Sequence, residues 1–323
     1  MPLFDIDASR LPDYRPEVAE PDDFDAFWAR TLAETRAHDL SVEVAPVDAR
    51  LTVIETYDLT FSGFGGHRVK GWYLRPAGHD GPLPAVVEYL GYGGGRGMAH
   101  SRLTWAAAGY AYVVMDTRGQ GTAATNGHGA TPDPVGSGVA APGTLTRGVE
   151  DPHDHYYRRV YTDGVRAVEA VRELPGVDPA RVAVTGVSQG GAITTAVAGL
   201  IDVAAAMPDV PWLQHIRRGV ETAPSGPFGE VRTYLAAHRG RVEETFRTLS
   251  YIDGVNHARR AQAPALYSVA LMDPVCPPST VYASANHYGG PAEVEVYPYN
   301  EHEGGTEFQR ERQLAWLGDL LHP

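Results

Sequence analysis

RVAVTGVSQGGAITTAVAGLI, residues 181–201, changes character halfway along. RVAVT is a short run of β-branched and apolar residues, which suits a buried strand. GGAITTAVAGLI (190–201) is a small-residue apolar stretch of helical length. Between them GVSQGG (186–191) places Ser188 in the pattern G-x-S-x-G. A serine at a sharp strand-to-helix turn has its hydroxyl lifted above the end of a sheet, and the flanking glycines leave room for the backbone to turn. The pattern alone arises by chance. The strand before it and the helix after it make it a nucleophile elbow.

Working outward, strand-like runs stand at PAVVEYL (84–90), YAYVVMD (110–116), PALYSVAL (264–271) and EVEVYPY (293–299). LTVIETYDLTF and HRVKGWYLRP form a strand pair around the turn SGFGG. Helical patterns fall at 21–40, 156–174 and 308–321. Strands alternating with helices predict an α/β fold with a mostly parallel sheet covered on both faces. The reading is one domain over residues 1–323, with an N-terminal helical extension. Two stretches break the alternation. Residues 121–155 are Gly/Pro-rich and too long for a plain connection. Residues 208–260 read as a helical insertion over the sheet edge.

A serine hydroxyl needs a base, and the base an orienting acid. In a hydrolase of this architecture they follow in the order Ser, acid, His. Asp273 comes directly after PALYSVALM, and His302 after EVEVYPYNE. Both fall where a parallel sheet presents its C-terminal edge. His302 would take the serine proton and return it to the leaving group, while Asp273 orients and stabilises the imidazolium. His215, His238, His257 and His287 are rival bases and Asp253 a rival acid. Two backbone donors are expected for the oxyanion. They are the N–H of Gln189, after the nucleophile, and that of Tyr92 in LGYGGGRG (90–97). That loop has neither G-x-G-x-x-G nor Walker spacing, so a phosphate cradle is set aside. HDH (153–155) and HEGG (302–305) lack H-E-x-x-H spacing and there is no cysteine pair, so no metal and no cofactor are expected.

The 323 residues carry a net charge of −13, which repels phosphate backbones and anionic lipid and argues against nucleic acid or membrane partners. Cys276 is the single cysteine, so no intrachain disulfide can form. The first residues, MPLFDIDASRLPDYRPE, lack the basic and apolar regions of a signal peptide, and no run approaches the ~18 apolar residues of a membrane span. The expectation is a soluble cytoplasmic protein.

DTRGQG (116–121), GVSQGG (186–191) and NEHEGG (300–305) resemble the three signature blocks of carbohydrate esterase family 7, the acetyl xylan esterases and cephalosporin C deacetylases. YDLTFSGFGGHRVKGW, YLGYGGGRG, RGVEDPHDHYYRRVYTD, FRTLSYIDGVN and LMDPVCPPSTVYASANHY are similar to it as well, in order and over nearly the whole chain. The resemblance implies an α/β-hydrolase fold and release of acetate from small acetylated sugars and related esters. It implies Ser188, Asp273 and His302 as the triad and Tyr92 and Gln189 as oxyanion donors. Arg118–Gln120 would form a structural network beneath the site. It also implies a homo-oligomer, with ring-like hexamers common in the family. Val187 departs from the glycine often found before the nucleophile. Residues 126–143 and 221–230 also depart from the pattern, which leaves substrate preference open. By position, Pro227 and Phe228 would wall a small acyl pocket. Another short-chain esterase or thioesterase, a peptidase, or a catalytically silent binding protein on the same fold are the competing readings.

Overall fold

The computed structural model describes residues 3–122 and 127–321. Among them nine strands form one sheet: β1 (Glu43–Pro46), β2 (Ile54–Ser62), β3 (Arg68–Pro76), β4 (Leu83–Tyr89), β5 (Ala111–Met115), β6 (Val177–Val187), β7 (Ala205–Asp209), β8 (Ala265–Ala270) and β9 (Ala292–Tyr297). Their order is β1-β2-β3-β5-β4-β6-β7-β8-β9. The pairs from β1 to β5 are antiparallel, and those from β5 through β4 to β9 are parallel. The helices are α1 (Phe24–Arg36), α2 (Thr104–Ala107), α3 (Tyr156–Arg172), α4 (Gln189–Leu200), α5 (Ile216–Thr222), α6 (Phe228–Ala237), α7 (Val242–Ser250), α8 (Gly254–Ala258), α9 (Pro278–His287) and α10 (Thr306–Leu321).

This is the expected α/β-hydrolase arrangement. The chain leaves β4 toward β5 on one side and returns to β6 on the other. The carboxyl ends of β4 and β6 therefore flank a topological switch point, where open α/β sheets hold their ligands. The central strands are apolar on both faces because both are covered. Val87, Val113 and Val184 pack on the face carrying α1, α3 and α4, while Val86, Val114 and Ala183 pack on the face with Trp105 of α2 and Leu317 of α10.

β1 and β7 are not evident in the sequence. β7 is AAMPD, alanine-rich with Pro208 inside it, and proline argues against a central strand because it cannot donate to the ladder. The register of β7 with β8 is accordingly kept only at Ala206 and Asp209, on either side of Pro208. Residues 216–258 are helical as expected, but they do not stand over an edge strand. They leave the sheet between β7 and β8, and α8 packs on α4 and α9. The N-terminal segment ties this insertion down. Asp5 accepts from Ser279 N–H (2.6 Å) at the start of α9 and pairs with Arg218 of α5 (2.6 Å).

His257 of α8 is fully buried, edge-on to Phe24, Trp28 and Tyr161, and neither ring nitrogen has a hydrogen bond of normal geometry. Burial pushes its pKa from the ordinary 6.5 down to about 3. Between those values the unfolded chain holds a proton that the folded chain excludes, so stability falls as pH drops through the window. The slope from this one group approaches about 1.4 kcal/mol per pH unit. Replacing His257 by phenylalanine keeps the aromatic packing and deletes the titrating imidazole. The expected result is a flatter loss of stability between pH 6.5 and 3 in urea unfolding. A profile parallel to wild type would show that this imidazole does not titrate on unfolding.

Candidate active site

The switch point is built by GVSQGG, and its geometry follows from close backbone packing. Ser188 has φ 59° and ψ −114°, a strained conformation for a residue with a side chain. A Cβ on Gly190 would sit 2.1 Å from the carbonyl oxygen of Tyr89, so only glycine lets α4 start this near β4. A Cβ on Gly186 would meet the backbone of Gly190 at 2.5 Å. The serine backbone is bracketed: its N–H donates to Asp209 O (2.9 Å), and its carbonyl accepts from Trp212 N–H (3.0 Å).

The structure brings Ser188, His302 and Asp273 together. His302 Nε2 lies 2.9 Å from Ser188 Oγ, and His302 Nδ1 lies 2.9 Å from Asp273 Oδ2. An ionised carboxylate only accepts, so Nδ1 carries the proton and Nε2 is free to accept from the serine hydroxyl. Asp273 is fully buried, and its other oxygen accepts from Val275 N–H (2.8 Å) and Cys276 N–H (2.9 Å). Those bonds hold its orientation. Bonds from Leu271 N–H to Tyr297 O (3.0 Å) and from Met272 N–H to Asn300 O (3.1 Å) join the ends of β8 and β9, which keeps acid and base adjacent.

The rivals lie elsewhere. Asp253 accepts from the amides of His215, Ile216 and Val255 and so caps α5 and α8. His238 packs on Tyr234, and His287 bonds Ala283 O within its own helix. His155, of the HDH segment, is buried and caps α3. Among the described residues, the one trio of potential metal ligands is Asp273, Cys276 and His302, whose donor atoms lie within 4.8 Å of one another. Two of those three already form the hydrogen-bonded chain to Ser188. Cys276 is 1% exposed, and burial pushes its thiol well above the ordinary value. Its place beside the triad has no signal in the sequence.

Tyr92 and Gln189 are held by one polar network. Gln120 Oε1 accepts from Gly93 N–H (2.6 Å), and Gln120 Nε2 donates to Gln189 Oε1 (2.8 Å). Gln189 Nε2 donates in turn to Leu90 O (3.1 Å). Arg118, two residues before Gln120, is buried in a bidentate pair with Asp163 of α3 at 2.5 and 2.7 Å. The amides of Tyr92 and Gln189 have no protein acceptor among the described residues. Phe228 is fully buried, its ring 5.6 Å from that of Trp212, so it presents no open surface as a pocket wall. Pro227 is half-buried at the N-cap of α6. The aromatic ring left partly open here is Tyr92, edge-on to Trp212 at 5.4 Å.

The model of the family described as Acetyl xylan esterase (AXE1) matches residues 1–320. The chain belongs to the acetyl xylan esterase family. It is therefore a carboxylic ester hydrolase, and the resemblance seen in the signature blocks holds over the whole fold. It is similar to the acetyl xylan esterase from Paenibacillus sp. R4, with 38% identity, a TM-score of 0.92, and 98% of this chain and 100% of that one covered. Acetyl xylan esterase 1 from Thermoanaerobacterium sp. JW/SL YS485 matches with 32% identity, a TM-score of 0.90, and 98% and 99% coverage. Acetyl esterase Axe7A of Xylanibacter ruminicola is 30% identical over 308 residues, which span 94% of this chain and 68% of that protein. In this acetyl xylan esterase family member Val187, directly before the nucleophile, is 38% exposed.

Proposed function

We propose that this protein removes acetyl groups from small acetylated carbohydrates, xylo-oligosaccharides among them, through an acetyl-enzyme on Ser188. The observation that carries the reading is the unbroken chain of 2.9 Å contacts from Ser188 through His302 to Asp273. His302 accepts the hydroxyl proton as Ser188 Oγ attacks the ester carbonyl. The oxyanion that forms is held by the amides of Gln189 and Tyr92. His302 then returns the proton to the sugar oxygen as the alcohol leaves. Water repeats the sequence on the acetyl-enzyme and releases acetate. No cofactor enters these steps. Cephalosporin C carries the same acetate ester on a compact alcohol and is proposed as a further substrate. The acidic chain suits neutral sugars rather than polyanions. A cytoplasmic location and assembly into a homo-oligomer remain part of this proposal.

The test is initial rates on p-nitrophenyl acetate, butyrate and octanoate, beside acetylated xylo-oligosaccharides and cephalosporin C. The expected order is acetate well above butyrate, octanoate negligible, and both natural-type esters cleaved. A preference for octanoate would remove the deacetylase reading while leaving the ester hydrolase.

A further inference from the structure

Residues Gly91–Gly95 read Gly-Tyr-Gly-Gly-Gly. Tyr92 is thus the one residue of that stretch with a side chain, and its grip adds to the backbone bonds that Gly93 makes to Gln120 Oε1 (2.6 Å) and Gly95 to Gly127 O (3.2 Å). Its hydroxyl is not free. It donates to Glu230 Oε1 at 2.5 Å and accepts from Thr144 N–H at 2.9 Å. The second carboxylate oxygen of Glu230 accepts from Leu145 N–H at 2.7 Å. Glu230 lies in the first turn of α6, in the insertion, and Thr144 and Leu145 lie in the long Gly/Pro-rich loop. The insertion, through Glu230, and the long loop, through Thr144 just past the divergent stretch 126–143, therefore meet at Tyr92. The approach is close: Gly143 has φ 129°, and a Cβ there would fall 2.2 Å from the Glu230 carboxyl carbon.

The grip continues to the other proposed oxyanion residue. Thr144 Oγ1 lies 3.0 Å from Tyr157 OH, which donates to Gln189 Oε1 at 2.8 Å. A hydrogen-bonded path thus runs from Glu230 through Tyr92, Thr144 and Tyr157 to Gln189. Arg147 is the charged group whose field favours the ionised form of this carboxylate. Burial raises the Glu230 carboxyl above its ordinary range and pushes the Tyr92 phenol up to about 12, so the phenol stays a donor at neutral pH.

We propose that Glu230 is a positioning residue for ester hydrolysis, its carboxylate fixing the Tyr92 side chain and so the direction of the Tyr92 amide. The proposal rests on the reading that this amide is an oxyanion donor. Neither Glu230 nor the Tyr92 hydroxyl touches the reacting atoms. Their effect falls on transition-state stabilisation, which depends on donor direction more than substrate affinity does.

The test is a double-mutant cycle with Glu230→Gln and Tyr92→Phe, assayed on p-nitrophenyl acetate with active enzyme counted by fluorophosphonate titration. Each single variant is expected to lower kcat about tenfold with KM within about twofold. The double variant should be no slower than the worse single one, because both cut the same link. Wild-type kcat per titrated site in either single variant overturns the proposal, and so does a loss confined to KM. A double variant slowed by the product of the two single losses overturns it too. Ser188→Ala run alongside separates the two levels. If that variant keeps its rate, the acyl-enzyme reading fails. If it is inactive while Glu230→Gln is normal, only the positioning role fails.

Discussion

Ser188→Ala is expected to lower kcat on p-nitrophenyl acetate by about 10⁴-fold or more and to leave the unfolding midpoint within experimental scatter. The chemistry needs Oγ, and nothing else among the described residues is bonded to His302 Nε2. Alanine keeps the Cβ, so it inherits the same φ of 59°. Ser188→Gly separates strain from chemistry. Glycine adopts this conformation freely, which releases strain of ~1–3 kcal/mol. Against that, its unfolded chain is more flexible by ~0.5–1 kcal/mol. Strain is the larger of the two, so the glycine variant should be as inactive as alanine yet about 1 kcal/mol more stable in urea unfolding. A glycine variant less stable than the alanine one would mean that the elbow is relaxed.

The largest expected effect on stability is at Arg118. Its guanidinium is fully buried, bidentate to Asp163 and within reach of Asp133 (3.4 Å) and His67 Nδ1 (3.2 Å). Arg118→Met removes the cation and strands Asp163, itself 1% exposed, with Phe64 N–H as its one remaining donor among the described residues. A buried charge that loses its partner costs about 3–5 kcal/mol. Changing both partners, Arg118→Met with Asp163→Leu, should recover much of the loss, since no unpaired charge remains. Urea unfolding of the two variants checks this. Equal midpoints for the single variant and wild type would mean that water reaches Asp163. The single variant should also lose activity, because Gln120, two residues on, holds both Gly93 and Gln189.

Much of this was legible in the sequence where the cause is local. GVSQGG announces its turn because the glycines, the strand run before them and the helix after them are contiguous. Asp273 and His302 were readable because each directly follows an apolar strand run. The supporting groups were not. Glu230, Tyr157 and Trp212 matter only through contacts made across the fold, and no spacing marks them. α3 is a sharper case. Val160, Val165, Val168 and Val171 signal a helix. Its Arg158, Arg159, Asp163 and Arg166 look like a solvated face, yet all are buried and paired with distant segments. β7 was hidden because alanine has no strand preference and Pro208 argues against one.

Cys276 turns the site into its own clock. The single thiol of the chain is buried among the triad side chains, within 4.8 Å of Asp273 and His302, so a thiol-selective reagent reaches it only when that corner of the molecule opens. Where reclosing outruns the reagent, the labelling rate measures the free energy of that opening. An acyl group resting on Ser188 slows the labelling to the extent that it holds the corner shut. Turnover can then be followed from this buried thiol, without a label on the substrate.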